Sequence, residues 1–151
     1  MPELPDITVY VERLLALAGG QTLRRLEVLH PFLLRTAVPP VSALQARTLE
    51  GVERLGKRVV LAFDGGLLLV IHLMIAGRLV WQPPGAKALA GKLALARFEF
   101  DSGTLVLTEA GTQRRASLHL LQGRAALEAL DPGGIDVLAN DAAAFAARLR
   151  A

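Results

Sequence analysis

Two apolar runs, residues 58–63 and 67–72, stand on either side of Asp64-Gly65-Gly66, and no other feature constrains the fold of this chain so tightly. Runs of six residues rich in Val, Leu, Ile and Phe suit buried strands. A short Asp-Gly-Gly connection between them predicts an antiparallel hairpin. The chain continues in the same manner. Strands are predicted over 22–29, 78–81, 92–100, 104–108 and 117–122, with Asp101-Ser102-Gly103 as a tight turn and 83–91 as a longer loop. Short strands punctuated by turn residues point to a sandwich of two sheets.

Helices flank this series. Leu4, Ile7, Val11, Leu14, Leu15 and Ala18 recur at helical spacing, Pro5 and Asp6 suit a first turn, and Gly19-Gly20 ends the pattern. Pro31 and Pro39-Pro40 break the chain, 42–47 reads as a short helix, and two more are predicted over 124–130 and 141–150. The expected fold class is mainly β with flanking helices: a two-layer antiparallel β-sandwich with an N-terminal α-helix and short C-terminal helices. The last helical pattern runs to Ala151 without a cap, as in a chain cut from a longer one.

Composition narrows the function. A chain of 151 residues with 52% hydrophobic content suits one domain with its own core. No window of 18 apolar residues is present to make a membrane-spanning helix. The start has no basic stretch leading into an apolar run, so the chain reads as cytoplasmic. There is no cysteine, which excludes disulfides and thiolate metal sites in these residues, and His30, His72 and His119 are too scattered to suggest a metal centre. The net charge is +3, and the only lysines among the basic residues are Lys57, Lys87 and Lys92. Arginine offers a planar fork of donors suited to phosphate.

Four stretches carry groups with usable chemistry. Removal of Met1 makes Pro2 a terminal secondary amine beside the Glu3 carboxylate, and a terminal amine titrates near ~8, close enough to neutrality to act as a nucleophile. Lys57, in Leu55-Gly56-Lys57-Arg58, is expected at the start of a strand just after a glycine, with Arg54 and Arg58 making the patch cationic. Residues 72–78, His-Leu-Met-Ile-Ala-Gly-Arg, end a buried strand in a turn that puts Met74 or Ile75 at its tip. Residues 108–116, Thr-Glu-Ala-Gly-Thr-Gln-Arg-Arg-Ala, read as an exposed loop that presents Arg114 and Arg115.

Taken together, Pro2-Glu3-Leu4-Pro5-Asp6, Leu55-Gly56-Lys57-Arg58, Ile71-His72-Leu73 with Gly77, and Gln113-Arg114-Arg115 resemble the formamidopyrimidine-DNA glycosylase/endonuclease VIII family. The resemblance implies base-excision repair: removal of oxidised bases followed by cleavage at the abasic site. Pro2 would attack the sugar anomeric carbon to form a Schiff base, and Glu3 would serve as general acid/base. Lys57 and His72 would hold backbone phosphate beside the lesion. Ile75 and Arg114 would fill the space left by the everted nucleotide, and Arg115 would contact phosphate. The implied partner is double-stranded DNA with an oxidised base or an abasic site, bound by a monomer with no membrane role.

The chain departs from the family at Asp6, where relatives often carry Glu. Ile75 stands at the void-filling methionine, Met74 at a glycine, and Ala116 at an aromatic wedge. The resemblance implies the N-terminal catalytic domain over residues 1–151, without the family's helix–two-turns–helix and zinc-finger part, and such an isolated domain is expected to bind DNA weakly and to be weakly active or inactive. No cofactor is expected in this chain, and zinc would belong to that other part. The alternative is a non-catalytic DNA-binding or damage-sensing module that kept the fold.

Overall fold

The computed structural model describes residues 4–74, 76–85, 94–110 and 115–130. The chain opens with helix α1 (Leu4–Ala18) and enters strand β1 (Leu23–Val28). Strands β2 (Leu49–Leu55), β3 (Arg58–Phe63), β4 (Leu67–His72) and β5 (Gly77–Gln82) follow. Strands β6 (Ala94–Phe100), β7 (Gly103–Glu109) and β8 (Ser117–Gln122) lead to helix α2 (Arg124–Leu130). The strands form two four-stranded sheets, ordered β1-β6-β7-β5 and β2-β3-β4-β8, and every strand pairing is antiparallel. This is the expected sandwich with flanking helices. The helix predicted over 141–150 lies outside the described residues.

The core lies between the sheets. Val59, Leu61, Phe63, Leu67, Leu69 and Ile71 of the β3–β4 hairpin are all at most 2% exposed and meet Phe98, Leu105 and Leu107 of the other sheet in one cluster. At ~25 cal/mol per Å2 of apolar surface, fully burying each such side chain contributes roughly 1.5–3 kcal/mol. Ile7, Leu14 and Ala18 of α1 join the same cluster, with Tyr10 and Val11 packed against it. Leu15, placed on the buried stripe by its spacing, is instead 47% exposed. The stripe of Ile7, Val11, Leu14 and Ala18 advances by four, three and four residues, and Leu15 falls one step off it.

Three further expectations change. Strand β2 was not expected from the sequence. A register shift between Leu49 and Gly51 places an extra residue opposite β3, so Leu49 and Val52 are both buried although they are three apart. A bulge of this kind erases the period-two signal. The short helix expected over 42–47 is a single 3₁₀ turn at Val41–Leu44. The predicted loop at 108–116 begins later than expected, because Thr108 and Glu109 complete β7.

The hairpin of β3 and β4 turns through Asp64-Gly65-Gly66, and the Asp64 carboxylate accepts the Thr48 N–H at 2.7 Å. This ties the turn to the residue that precedes β2.

Candidate nucleic-acid interface

One end of the sandwich gathers most of the described candidate residues. Strands β2 and β3 are joined by Gly56-Lys57, with Leu55 opposite Arg58. Lys57 therefore sits in a two-residue turn rather than at a strand start. The turn demands positive φ at its first residue, and Gly56 supplies it at 60°. The Arg54 guanidinium donates to the Gly56 carbonyl at 3.2 Å, holding the turn from the strand below. Of the cations flanking Lys57 in sequence, Arg54 thus braces the turn.

Arg58 lies opposite His72 on β4, and His72 lies opposite Ser117 on β8. The three form one row across the sheet, at strand spacings of ~4.8 Å. Lys57 adjoins this row from the turn, and Arg115 adjoins it two residues before Ser117. Lys57 and His72 are half-buried and Arg115 is exposed.

After His72 the chain reverses through Leu73 and Met74 into β5. The Gly77 N–H donates to the Leu73 carbonyl at 3.0 Å. A Cβ at Gly77 would stand 2.3 Å from that oxygen, so the reversal requires glycine there. Met74 adopts φ 59°, a left-handed conformation that costs most residues ~1–2 kcal/mol. A glycine would adopt it without that cost. Ile75 lies outside the described residues.

The segment that carries the paired arginines is held at its root by Glu109, expected in an exposed loop. Glu109 ends β7 opposite Gly77 and is 1% exposed. Its carboxylate accepts the Arg115 N–H at 3.0–3.1 Å and the Ala116 N–H at 2.9 Å. One buried acid thus joins the start and finish of the segment that carries the arginines. A lone carboxylate at the end of an apolar strand, Val106-Leu107-Thr108-Glu109, was the signal available. Ala116, expected at a wedge position, is instead fully buried in the main core. Arg114 lies outside the described residues.

The remaining candidates, Pro2 and Glu3, also lie outside the described residues, but the helix that follows them has a defined direction. At the far end of α1, the Gly20 N–H donates to the Leu49 carbonyl at 2.8 Å. Ser102, in the β6–β7 turn, donates to the Leu17 carbonyl at 2.9 Å. Both anchors lie at the end of the sandwich opposite Lys57, His72 and Arg115. The axis of α1 therefore carries Leu4 toward the end that holds them, and the helix terminus there is its positive one.

Electrostatics at this end are cationic. Partial burial, and then the charges of Arg58 and Arg35, hold the His119 imidazole below its usual range. Among the described residues no helix is long and apolar enough to cross a membrane.

The comparisons with known proteins agree with this architecture. A family model described as the formamidopyrimidine-DNA glycosylase N-terminal domain matches residues 1–117. The formamidopyrimidine-DNA glycosylase of Nocardioides sp. is 38% identical over 90 residues, covering 57% of this chain and 30% of the relative. That of Rhodococcus erythropolis is 35% identical over 111 residues, covering 68% of this chain and 37% of the relative. The chain thus spans about a third of the length of these relatives. Among solved structures, a Lactococcus lactis Fpg in complex with an abasic site containing DNA superposes with TM-score 0.75 at 20% identity, over 85% of this chain and 47% of that one. At that identity the likeness establishes the fold. With more than half of its length matched by the family model, the chain belongs to the formamidopyrimidine-DNA glycosylase family, through that family's N-terminal domain.

Proposed function

We propose that this chain is the catalytic domain of a base-excision DNA glycosylase that removes oxidised bases and also cleaves the abasic site. The observation that carries the reading is the convergence at one end of the sandwich. Lys57, His72 and Arg115 lie at that end, and α1 begins at Leu4 and runs away from it. In this reading the domain is one wall of a DNA groove.

The chemistry assigns one role to each group. The Pro2 amine adds to the sugar anomeric carbon as the damaged base departs, and the sugar ring opens to leave an iminium. Glu3 exchanges the protons this requires, a contribution of about 10²–10⁴-fold for a placed acid/base. Loss of the proton from the adjacent sugar carbon then expels the 3′ phosphate by β-elimination, and water releases the enzyme. Lys57 and His72 bind the phosphate beside the reacting sugar. The base must leave the stack first, because its anomeric carbon is inaccessible within the duplex.

Incision of a duplex carrying an abasic site tests this reading. The chain with Pro2 as its first residue is expected to nick the damaged strand slowly, and Lys57→Ala is expected to slow the nicking at least tenfold further while leaving the melting temperature unchanged. Salt-dependent DNA binding by a wild-type chain that makes no nick would favour the non-catalytic module.

A further inference from the structure

The second sheet has an inner face on the main core and an outer face divided into two parts. Val60, Ala62, Leu68 and Val70 form an apolar cluster with Leu55 and Leu127 beneath α2. Residues two apart on a strand share a face. Arg58 therefore shares the outer face with Val60, and His72 shares it with Val70. His119 joins them, because it lies opposite Val70.

The sheet also continues past β8. Leu34 bridges Leu118 in parallel, and the Arg35 N–H donates to the Leu118 carbonyl at 2.9 Å. The Leu120 N–H donates to the Thr36 hydroxyl oxygen at 2.9 Å. Leu34 packs on the inner core, so its neighbour Arg35 turns to the outer face beside His119. Arg35 is exposed, and Arg58, His72 and His119 are half-buried.

Four neighbouring segments thus carry Arg58, His72, His119 and Arg35 over about 14 Å across the sheet, at ~4.8 Å per strand, with a step of two residues along the strands between His72 and His119. The positive charges act on one another, since Arg58 and Arg35 both disfavour protonation of His119. Among the described residues, the other charged side chains on this face and on the helix packed against it are Glu53, which lies opposite Val60 and so one strand from Arg58, and Arg124 and Glu128 of α2. The two arginine charges, which disfavour the charged form of the histidine between them, are complemented by a polyanion of matching length. One strand of duplex DNA carries a phosphate every ~3.4 Å of helix axis, so the line passes about four.

We propose that Arg35, Arg58 and His119 form a track for the phosphodiester backbone of one DNA strand, running from the Lys57–His72 corner across the outer face of the second sheet. The track rests on the DNA-binding reading above and extends it beyond the residues which that reading uses. A phosphate beside His119 favours the imidazolium, so DNA binding takes up a proton at this residue.

The test is the affinity of the 151-residue chain for a labelled duplex containing a stable abasic analogue, measured by anisotropy over a salt series at acidic and at neutral pH. Arg35→Ala is expected to lower the slope of log affinity against log salt by about 0.9, the value for one phosphate contact, and Arg35→Lys to restore it. His119→Gln is expected to reduce the tightening on acidification that the wild type shows. A thermal melt of each variant reports that the fold is intact. Binding by the wild type with slopes and pH response unchanged in Arg35→Ala and His119→Gln overturns the track alone. No salt-dependent binding by the wild type overturns the DNA reading and the track with it.

Discussion

Glu109 shows how one side chain fixes a functional segment. Its carboxylate is buried and meets the backbone N–H groups of Arg115 and Ala116, so truncation removes their acceptor from a site that water reaches poorly. Leaving a buried donor without its acceptor costs about 1–3 kcal/mol. Glu109→Ala is therefore expected to lower stability by about 2–4 kcal/mol in a denaturant melt, with Glu109→Gln between it and the wild type. The same change should weaken DNA binding by loosening Arg115, so the affinity loss should follow the loss of order in the loop. His119 offers a second measurement at this scale. Its folded pKa lies below the unfolded value near ~6.5, so between the two the unfolded chain binds more protons and stability falls as pH drops. Melting midpoints of the wild type are expected to decline from neutral pH into that window. Those of His119→Gln should decline less, and an identical pH profile would refute the assignment.

The β2–β3 hairpin shows what the sequence reveals at the scale of elements and what it hides. Strand β3 was legible because Val59, Leu61 and Phe63 face the core while Val60 and Ala62 face the α2 cluster, which makes an unbroken apolar run. Strand β2 was not legible, because its bulge between Leu49 and Gly51 shifts the phase of alternation and the polar Glu50 and Gly51 sit between its buried Leu49 and Val52. The strand start expected at Lys57 is instead a turn, and the difference follows from the unexpected β2. Without the preceding strand, Gly56-Lys57 does not read as a turn. Glu109 was hidden for a related reason, since small and polar neighbours on its C-terminal side made the end of β7 look like loop. At Gly56 the backbone demands φ of 60°, which costs a residue with a Cβ roughly 1–2 kcal/mol. Gly56→Ala is expected to lose about that much stability and to reduce DNA affinity as well, by moving the Lys57 ammonium. An unchanged affinity in a destabilised variant would separate the turn from the phosphate contact.

At the scale of the whole molecule, the two sheets and α1 agree on a single working end. The far end is closed by hydrogen bonds from Gly20 to Leu49 and from Ser102 to Leu17, and the near end is where β2, β4 and β7 stop and β3, β5 and β8 begin. The catalytic assignment depends on this arrangement, because Pro2 and Glu3 precede a helix aimed at that end. Family membership was legible in the opening residues and the Lys57, His72 and Arg114-Arg115 segments. The line of Arg35, Arg58 and His119 was not, since those residues come together only through strand register and the parallel bridge at Leu34.

The central claim is that a terminal proline amine attacks the sugar, and covalent capture tests it most directly. The chain should be prepared in two forms, one beginning at Pro2 and one retaining Met1, which turns the Pro2 nitrogen into an amide. Each is incubated with duplex DNA carrying an abasic site in the presence of borohydride, and the products are read by mass. The account predicts a protein–DNA adduct through the Pro2 nitrogen in the first form and none through that nitrogen in the second. Equal adduct yields from both forms, or no adduct from the form that begins at Pro2, would contradict it.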